Sequence, residues 1–370
     1  MKKKILFIIL NLGCGGAQRV ISTIANGISK EKYDVSFMTL GKKESDFFKL
    51  DSEVKRIDLD LYKPSASVSE AFRNNVSSIK TIREFVNRIN PDLVISFLNR
   101  TNVRVLISLF NSAIPLVISE RSDPTHNKIG KLWSLLRFIS YHKTKVLVCL
   151  SKGVSDAFWY VPKKKKVVIY NPIEISDKVD DKYSFPFNKT RNYIITVGRL
   201  VEDKAQSHLI QAFSSIAEKY VNWDLLIFGE GQLRKKLTEL VVSEGLSDRI
   251  YLPGETKNPI AEMKQSQMFV LTSLWEGFGN VIVEAMSAGI PVISTDCESG
   301  PSEIIDHGKT GLLVPVGNIE KIAKAMEKLI SNKESRTSLA RAASQELNRF
   351  DKDSIIKQWE ELFDSSIKYQ

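Results

Sequence analysis

Short apolar runs alternate with longer amphipathic stretches along most of this 370-residue chain. Apolar runs bounded by turn-forming residues are typical of buried strands, and apolar residues spaced three and four apart predict helices. The runs predict strands at residues 5–10, 33–40, 91–97, 115–119, 146–151, 167–171, 193–197, 223–228, 250–254, 268–273 and 291–295. The amphipathic stretches predict helices at residues 20–28, 71–89, 130–145, 207–219, 319–330, 335–348 and 353–367. The repeated order of strand and helix predicts an α/β protein with doubly wound parallel sheets.

The length of the chain exceeds what one ordinary core supports, so two domains are expected. We place the first at residues 1–172 and the second at residues 190–350, with a polar linker at residues 174–189. The charged first residues and the short apolar run at 5–10 resemble a signal peptide, but a first β-strand is the favoured interpretation. No apolar run approaches the length of a membrane-spanning helix.

Charge is distributed unevenly along the chain. Residues 1–185 hold 31 Lys and Arg against 18 Asp and Glu, whereas residues 186–370 hold 22 against 25. The basic half favours an anionic partner, with a membrane surface, nucleic acid or a polyanionic substrate all open. Three scattered cysteines without metal-ligand spacing predict reduced thiols of a cytoplasmic protein.

The helix predicted at residues 130–145 is amphipathic, aromatic and cationic. These features suit a helix in a bilayer interface, and equally a helix that packs Leu132, Leu136 and Ile139 on the sheet. Packing on the sheet is favoured for the helix itself. The four lysines at 163–166 and the basic charge favour membrane contact for the domain as a whole.

The most informative stretch is residues 272–291. A buried strand ends before Gly277 and Gly279, Asn280 is the predicted N-cap of a helix, and Glu276 and Glu284 flank the start of that helix. Open α/β sheets bind ligands at the carboxyl ends of strands. A helix N-terminus attracts anions, whereas carboxylates accept from hydroxyls, and a nucleotide sugar offers both phosphates and hydroxyls. The alternative is that the two glutamates are solvated charges.

Other candidate residues are weaker by themselves. Arg199 and Lys204 follow a predicted strand and could surround a diphosphate, or could be two surface cations. Asp58 and Asp60 have the spacing of a metal site, but we expect no metal there, and no nucleophile is visible elsewhere.

Glu-x7-Glu around Gly277-Phe278-Gly279 resembles the signature of the retaining GT-B glycosyltransferases of family 4, and the similarity extends over nearly the whole chain. The resemblance implies two Rossmann-like domains facing a cleft, with the acceptor on the first domain and the donor on the second. It implies that the helix at the C-terminal end, residues 353–370, packs back on the first domain. Glu276 would contact the donor sugar, Glu284 the ribose hydroxyls, and Arg199 and Lys204 the pyrophosphate.

The resemblance implies a set of site residues. Those expected to act in catalysis are Glu276, Arg199 and Lys204. Those expected to bind the donor are Gly15, Gly16, Arg199, Lys204, Gly229, Gly231, Pro253, Glu276, Gly277, Phe278, Gly279, Asn280, Val281 and Glu284. The acceptor-side candidates are Arg19, Glu120 and Arg121. Related enzymes often have a histidine where this chain has Arg121, so a catalytic histidine is not carried over.

The function implied is transfer of a hexose or N-acetylhexosamine with retention of configuration, without a cofactor or metal. A Gly-Pro-x-Glu sequence at residues 300–303 suggests a UDP-linked donor. The expected acceptor is a lipid-linked saccharide of bacterial surface glycan synthesis, handled by a peripheral protein on the cytoplasmic face of the membrane. The alternatives are a sugar-nucleotide epimerase of the same fold, a non-catalytic carbohydrate-binding protein and, from charge alone, a nucleic-acid-binding protein, although no nucleic-acid partner is expected.

Overall fold

The computed structural model describes residues 1–13, 15–42, 46–61, 66–173, 187–188 and 190–367. The chain divides into two compact units. Met1–Pro172 and Lys352–Gln370 form the first unit, and Ile173–Asp351 form the second. Most of the predicted linker at 174–189, and Cys14 of the first Gly-rich loop, lie outside the described residues.

The first unit contains a seven-stranded sheet whose paired strands are all parallel. Its strands are β1 Lys3–Ile9, β2 Tyr33–Thr39, β3 Lys55–Asp58, β4 Leu93–Phe97, β5 Leu116–Glu120, β6 Val146–Cys149 and β7 Lys166–Val168. Their order across the sheet is β3-β2-β1-β4-β5-β6-β7. The connecting helices are α1 Gly16–Gly27, α2 Val68–Ile89, α3 Asn99–Ser108, α4 Lys131–Ser140 and α5 Lys152–Ala157.

The second unit repeats this plan with six strands, again paired only in parallel. They are β8 Asn192–Val197, β9 Trp223–Phe228, β10 Ile250–Gly254, β11 Met268–Leu271, β12 Val292–Thr295 and β13 Leu312–Val314. Their order is β10-β9-β8-β11-β12-β13. The helices are α6 Gln206–Ala217, α7 Arg234–Ser243, α8 Pro259–Lys264, α9 Asn280–Ser287, α10 Pro301–Ile304, α11 Ile319–Ser331 and α12 Lys333–Gln345. The predicted fold class, α/β with two doubly wound parallel sheets, is confirmed.

The last helix, α13 Lys352–Ile367, belongs to the first unit although it follows the second along the chain. Trp359 is fully buried and stacks on Phe97 of β4, with ring centroids 5.7 Å apart. A Cβ at Gly27 would lie 2.1 Å from Ile356 Cδ1, so α1 ends in close contact with this helix. The helix therefore completes the hydrophobic core of the first unit.

The structure corrects the prediction for α4. Leu132 and Ile139, expected to pack on the sheet, are 67 % and 54 % exposed, and Leu136 is only partly buried. The helix instead packs on α3 through Trp133, whose ring lies 4.9 Å from the Arg104 guanidinium carbon. Arg137 points inward and is buried. The sheet prediction was wrong because the helix turns Arg137 inward, where the guanidinium lies over the ring of Phe158.

Three smaller outcomes concern the first unit. The residues that resemble a signal peptide form β1, a central strand. Asp58, considered as a metal ligand, accepts instead from Arg56 at 2.7 Å. Among the described residues, no helix is long and apolar enough to cross a membrane.

Candidate active site

The carboxyl ends of β8 and β11 are neighbours in the sheet of the second unit. The direction in which strands are added to the sheet reverses here. β9 and β10 lie on one side of β8, and β11, β12 and β13 lie on the other. Such a reversal opens a crevice where parallel α/β sheets bind ligands. Arg199 and Lys204 follow β8, and Glu276 and Glu284 follow β11. The topology thus places the cationic pair and the Glu-x7-Glu sequence on adjacent strand ends.

Lys204 lies on a short 3₁₀ turn, Glu202–Lys204, which the end of β11 holds in place. The Thr272 hydroxyl donates to the backbone oxygens of Lys204 and Ala205, each at 3.0 Å. The Leu274 amide donates to the Asp203 oxygen at 2.8 Å. Ala205 has a left-handed backbone, φ 45°, which is uncommon for a residue other than glycine. These bonds stabilise that conformation and orient Lys204 towards β11.

Glu276 is the residue that Lys204 meets. Lys204 Nζ lies 2.5 Å from Glu276 Oε1, and the Ser273 hydroxyl donates to the same oxygen at 2.7 Å. Glu276 is only 8 % exposed, so its charge needs these partners. Both bonds fall on Oε1, which leaves Oε2 without a hydrogen-bond partner among the described residues. The pair therefore holds a carboxylate with one acceptor still open.

The loop between β11 and α9 is tied to the end of β12. The backbone oxygen of Ser273 accepts from the Thr295 hydroxyl at 2.6 Å and from the Cys297 thiol at 3.2 Å. Burial raises the pKa of Cys297 to about 11, so this thiol is a donor and not a nucleophile. Neither Ser273 nor Thr295 was predicted to matter. The sequence signal that could have identified Ser273 is the polar pair Thr272-Ser273, which directly follows the apolar strand at residues 268–271.

The start of α9 differs by one residue from the prediction. Gly279, not Asn280, is the N-cap, and its φ of 97° lies in the left-handed region that favours glycine. Gly300 closes over the same turn, because a Cβ there would lie 2.2 Å from the Phe278 oxygen. The Phe278 ring is buried edge-on against Phe350, with centroids 5.7 Å apart. The helix N-terminus beside Glu276 is therefore firmly packed.

The turn after β9 supports the loop that carries Arg199. A Cβ at Gly229 would lie 1.9 Å from the Gly198 oxygen, and one at Gly231 would lie 2.3 Å from the Leu200 oxygen. The Leu200 amide donates to the Glu230 oxygen at 2.9 Å. The two glycines thus allow a direct backbone approach that side chains would prevent.

Arg199 itself is exposed. Its side chain has no hydrogen bond or ion pair with the residues that the structure describes. Pro253 lies at an irregularity of β10, beside Gly254, whose oxygen accepts from the Gly229 amide at 2.7 Å. Glu284 lies one turn into α9 and is half-buried. These residues belong to the second unit together with residues 276–281.

The remaining predicted residues lie in the first unit. Gly15 is the N-cap of α1, Gly16 its first residue, and Arg19 is exposed on its first turn. In the described residues, no group of three or more His, Cys, Asp or Glu is arranged to hold a metal ion. Cys149 and Cys297 are buried free thiols.

Glu120 and Arg121 end β5 in a buried network of the first unit. Tyr141 donates a short hydrogen bond to Glu120, and Asn102 donates to the same carboxylate oxygen at 3.3 Å. Burial raises the pKa of Glu120 to about 7, although the Tyr141 and Asn102 bonds and nearby arginines oppose the shift. The partner Tyr141 lies 21 residues away in sequence and was not predicted.

Arg121 has an unusual environment. It donates to Asn171 Oδ1 at 2.9 Å, and its guanidinium carbon lies 5.0 Å from the ring centre of Phe97 and 5.7 Å from that of Trp359. Its Nε and Nη2 are buried without a hydrogen-bond partner among the described residues. Burial lowers the pKa of Arg121 to about 9, against the opposing charges of Cys149 and Glu120.

Both units of the chain are similar to known glycosyltransferases. Residues 177–346 match the family described as Glycosyl transferases group 1, and residues 14–177 match Glycosyltransferase Family 4. An uncharacterised glycosyltransferase of Methanocaldococcus jannaschii is 32 % identical over 339 residues, which are 78 % of this chain and 82 % of that protein.

Two further similarities extend over nearly the full length. The Campylobacter jejuni GalNAc-alpha-(1->4)-GalNAc-alpha-(1->3)-diNAcBac-PP-undecaprenol alpha-1,4-N-acetyl-D-galactosaminyltransferase is 29 % identical over 361 residues, 97 % of this chain and 98 % of that one. The solved structure of HepE from Anabaena in complex with UDP matches with a TM-score of 0.78 at 20 % identity, over 99 % of this chain and 100 % of that one.

The fold and these similarities define the class of protein: it is a glycosyltransferase with the GT-B fold. Within that class, the chain belongs to the group 1 glycosyltransferases, with the Glycosyltransferase Family 4 domain at its N-terminal side. The family resemblance and the assignment as a transferase are confirmed. The assignment as a transferase argues against the epimerase, non-catalytic and nucleic-acid-binding alternatives.

Proposed function

We propose that this enzyme transfers a hexose or N-acetylhexosamine from a UDP-sugar to a lipid-linked saccharide, with retention of configuration, in bacterial surface glycan synthesis. The observation that carries the proposal is the Lys204–Glu276 pair at the β8–β11 switch point. It combines a cation for phosphate with an acceptor for sugar hydroxyls in the place where parallel sheets bind ligands.

The pair can serve both parts of a nucleotide sugar. A lysine ammonium has three donors, and Glu276 Oε1 takes only one of them. The others can reach a donor diphosphate, while Glu276 Oε2 accepts from a hydroxyl of the sugar. Glu284, further along α9, is assigned to the ribose hydroxyls. These groups hold the donor in a fixed orientation, so the acceptor meets the anomeric carbon in the geometry that the reaction needs.

The main chemical task is to stabilise the leaving group. The bond from the anomeric carbon to the diphosphate oxygen breaks, and a bond to the acceptor oxygen forms on the same face of the sugar. The acceptor proton passes to the leaving phosphate. Negative charge develops on the diphosphate, where Arg199, Lys204 and the amides of residues 279–281 supply positive charge and donors. No metal enters this proposal.

The names of similar proteins support the choice of substrates. HepE is described in complex with UDP, which supports a uridine nucleotide as donor. The Campylobacter protein is named for a PP-undecaprenol-linked saccharide, which supports a lipid-linked acceptor. Such an acceptor resides in a membrane, so we propose that the enzyme is cytoplasmic and peripheral on the inner face of the plasma membrane.

Arg19 and Arg121 are the acceptor-side candidates with chemistry to offer. Arg19 is exposed at the start of α1, and Arg121 keeps two guanidinium nitrogens without partners among the described residues. Either could bind an acceptor phosphate. Glu120 Oε1 accepts from both Tyr141 and Asn102, and we assign this residue a positioning role beside Arg121.

A donor screen tests the proposal directly. The purified protein is offered UDP-, GDP- and ADP-sugars with polyprenyl-diphosphate saccharides in detergent, and the product mass and anomeric configuration are recorded. We expect one hexose or N-acetylhexosamine increment from a UDP donor, with retained configuration. Transfer only from GDP- or ADP-sugars would contradict the donor assignment. UDP binding without transfer to any polyprenyl acceptor would contradict the acceptor assignment.

A further inference from the structure

Helix α4 shows the reverse of ordinary amphipathic packing. Arg137 is buried, whereas four large apolar side chains of the helix are exposed to between 42 % and 67 %. Trp159, 77 % exposed, lies beside them, with its ring centroid 6.3 Å from that of Phe138. We call these residues the α4 face: Leu132, Leu135, Phe138, Ile139 and Trp159. Scattered exposed apolar residues are ordinary on protein surfaces, but a contiguous group marks an interaction site.

A lysine cluster borders this face. The cluster consists of Lys143, Lys145, Lys164 and Lys165. Lys165 Nζ donates to the His142 oxygen at 2.7 Å, and the His142 ring lies 5.9 Å from the Phe138 ring. Lys143, Lys145 and Lys165 line one pocket, and burial together with repulsion from the other three lysines lowers the pKa of Lys165.

The segment that carries the face contains almost no acidic residues. Between residues 124 and 173 the only acidic residue is Asp156, against ten basic residues: Lys128, Lys131, Arg137, Lys143, Lys145, Lys152, Lys163, Lys164, Lys165 and Lys166. Lys143, Lys145 and Lys165 also line a pocket of about 390 Å³ at the end of α3. The charge of this region is thus complementary to an extended anionic surface that also accepts apolar side chains.

We propose that the α4 face and its lysine cluster dock the first unit on an anionic phospholipid bilayer, with the apolar side chains inserted at the headgroup boundary and the lysines on the lipid phosphates. A helix that combines exposed Leu, Phe and Trp with a lysine border has the composition of an interfacial membrane contact. This inference rests on the proposed peripheral attachment of the enzyme and identifies the surface responsible. It also accounts for the basic charge of the first half of the chain.

Vesicle sedimentation tests the inference with the full-length protein. Vesicles of phosphatidylglycerol and phosphatidylcholine in equal parts are compared with phosphatidylcholine alone. We expect binding to the anionic vesicles and at least about tenfold weaker binding to the neutral ones, with loss of binding as salt is raised. The triple variant Leu135→Ser, Phe138→Ser, Trp159→Ser should reduce the affinity for anionic vesicles about tenfold or more.

Two further variants separate the contributions. Lys143→Gln with Lys164→Gln removes two exposed charges of the lysine cluster and leaves every apolar residue unchanged, so it should weaken binding while keeping the fold. Val221→Ser with Val242→Ser removes apolar residues of the second unit that are 60 % and 62 % exposed, and should leave binding unchanged. Unfolding temperature and UDP binding are measured for each variant as controls.

The outcomes distinguish the possible failures. If the wild-type protein does not bind anionic vesicles, both the surface and the peripheral attachment are wrong, while UDP binding still reports on the donor site. If the wild-type protein binds and the triple and lysine variants bind equally well, only the surface is wrong. If light scattering shows a dimer that the triple variant dissociates, the α4 face joins two copies of this chain and the lipid assignment is overturned.

Discussion

Glu120→Gln should stabilise the first unit at neutral and alkaline pH. The Glu120 carboxyl is buried with Tyr141 and Asn102, and burial raises its pKa from the ordinary 4.5 to about 7. A raised carboxyl pKa means that the folded state holds the proton more tightly than the unfolded state. The free energy of unfolding contributed by this group is therefore greatest below pH 4.5 and is lost as the pH rises to about 7.

The size of the effect follows from the two pKa values. Each pKa unit corresponds to about 1.4 kcal/mol, so the difference between 4.5 and about 7 gives an upper limit of about 3 kcal/mol. The amide is uncharged at every pH, is close in shape to the carboxyl, and can still accept from Tyr141. It also brings an N–H donor to a network in which Asn102 Oδ1 is buried without a partner among the described residues.

The assay is denaturant unfolding of the wild-type protein and the Glu120→Gln variant at intervals from pH 4.5 to 8.5. The difference between the two proteins cancels the titration of all other groups. We expect it to be near zero at the acid end and to approach its limit above pH 7, in favour of the variant. A difference that stays constant with pH, or that favours the wild-type protein at pH 8, would refute the reasoning. Transfer activity measured on the same samples shows whether the carboxylate also serves the acceptor.

The remaining predictions concern the second unit. Lys204→Ala and Glu276→Ala should each lower kcat/KM by about a hundredfold or more while far-UV circular dichroism stays unchanged, because each removes a group assigned to the transition state; full turnover by both variants would contradict the site. Glu284→Ala should raise the Kd for UDP about tenfold or more, measured by calorimetry, because it removes the acceptor assigned to the ribose hydroxyls; an unchanged Kd would reassign that glutamate. Gly229→Ala should lower the free energy of unfolding by about 3 kcal/mol more than Gly245→Ala, because both glycines have positive φ but only the first has a carbonyl oxygen 1.9 Å from the added Cβ; equal losses would mean that the loop relaxes.

The strands and the donor-side cluster could be predicted because their signals are local. Apolar runs mark the strands, and the resemblance to family 4 implies that Arg199, Lys204 and Glu276 share one donor site. The donor roles of these residues remain predictions. The error of one residue at the start of α9 arose because Asn280 has the side chain of a good N-cap, whereas the positive φ of Gly279 decides the geometry.

Partners distant in sequence could not be predicted in the same way. Tyr141 reaches Glu120, and Thr272 holds the turn of Lys204, only because the fold brings their elements together. The prediction for the orientation of α4 was wrong for another reason. Its apolar spacing is the same whether the apolar side meets the sheet or leaves it, and only the inward position of Arg137 decides between the two.

The position of Lys204 explains why the Glu-x7-Glu sequence and the Arg-Lys pair have to be considered together. Glu276 alone, 8 % exposed and beside a single hydroxyl donor, would be a costly buried carboxylate. Lys204 alone, on a turn with a left-handed residue after it, would be a mobile surface cation. Joined at 2.5 Å, each neutralises and orients the other, and the pairing uses only one carboxylate oxygen and one ammonium donor. Glu276 Oε2 is therefore left to accept from a ligand hydroxyl, which is the role that the proposed donor site gives it.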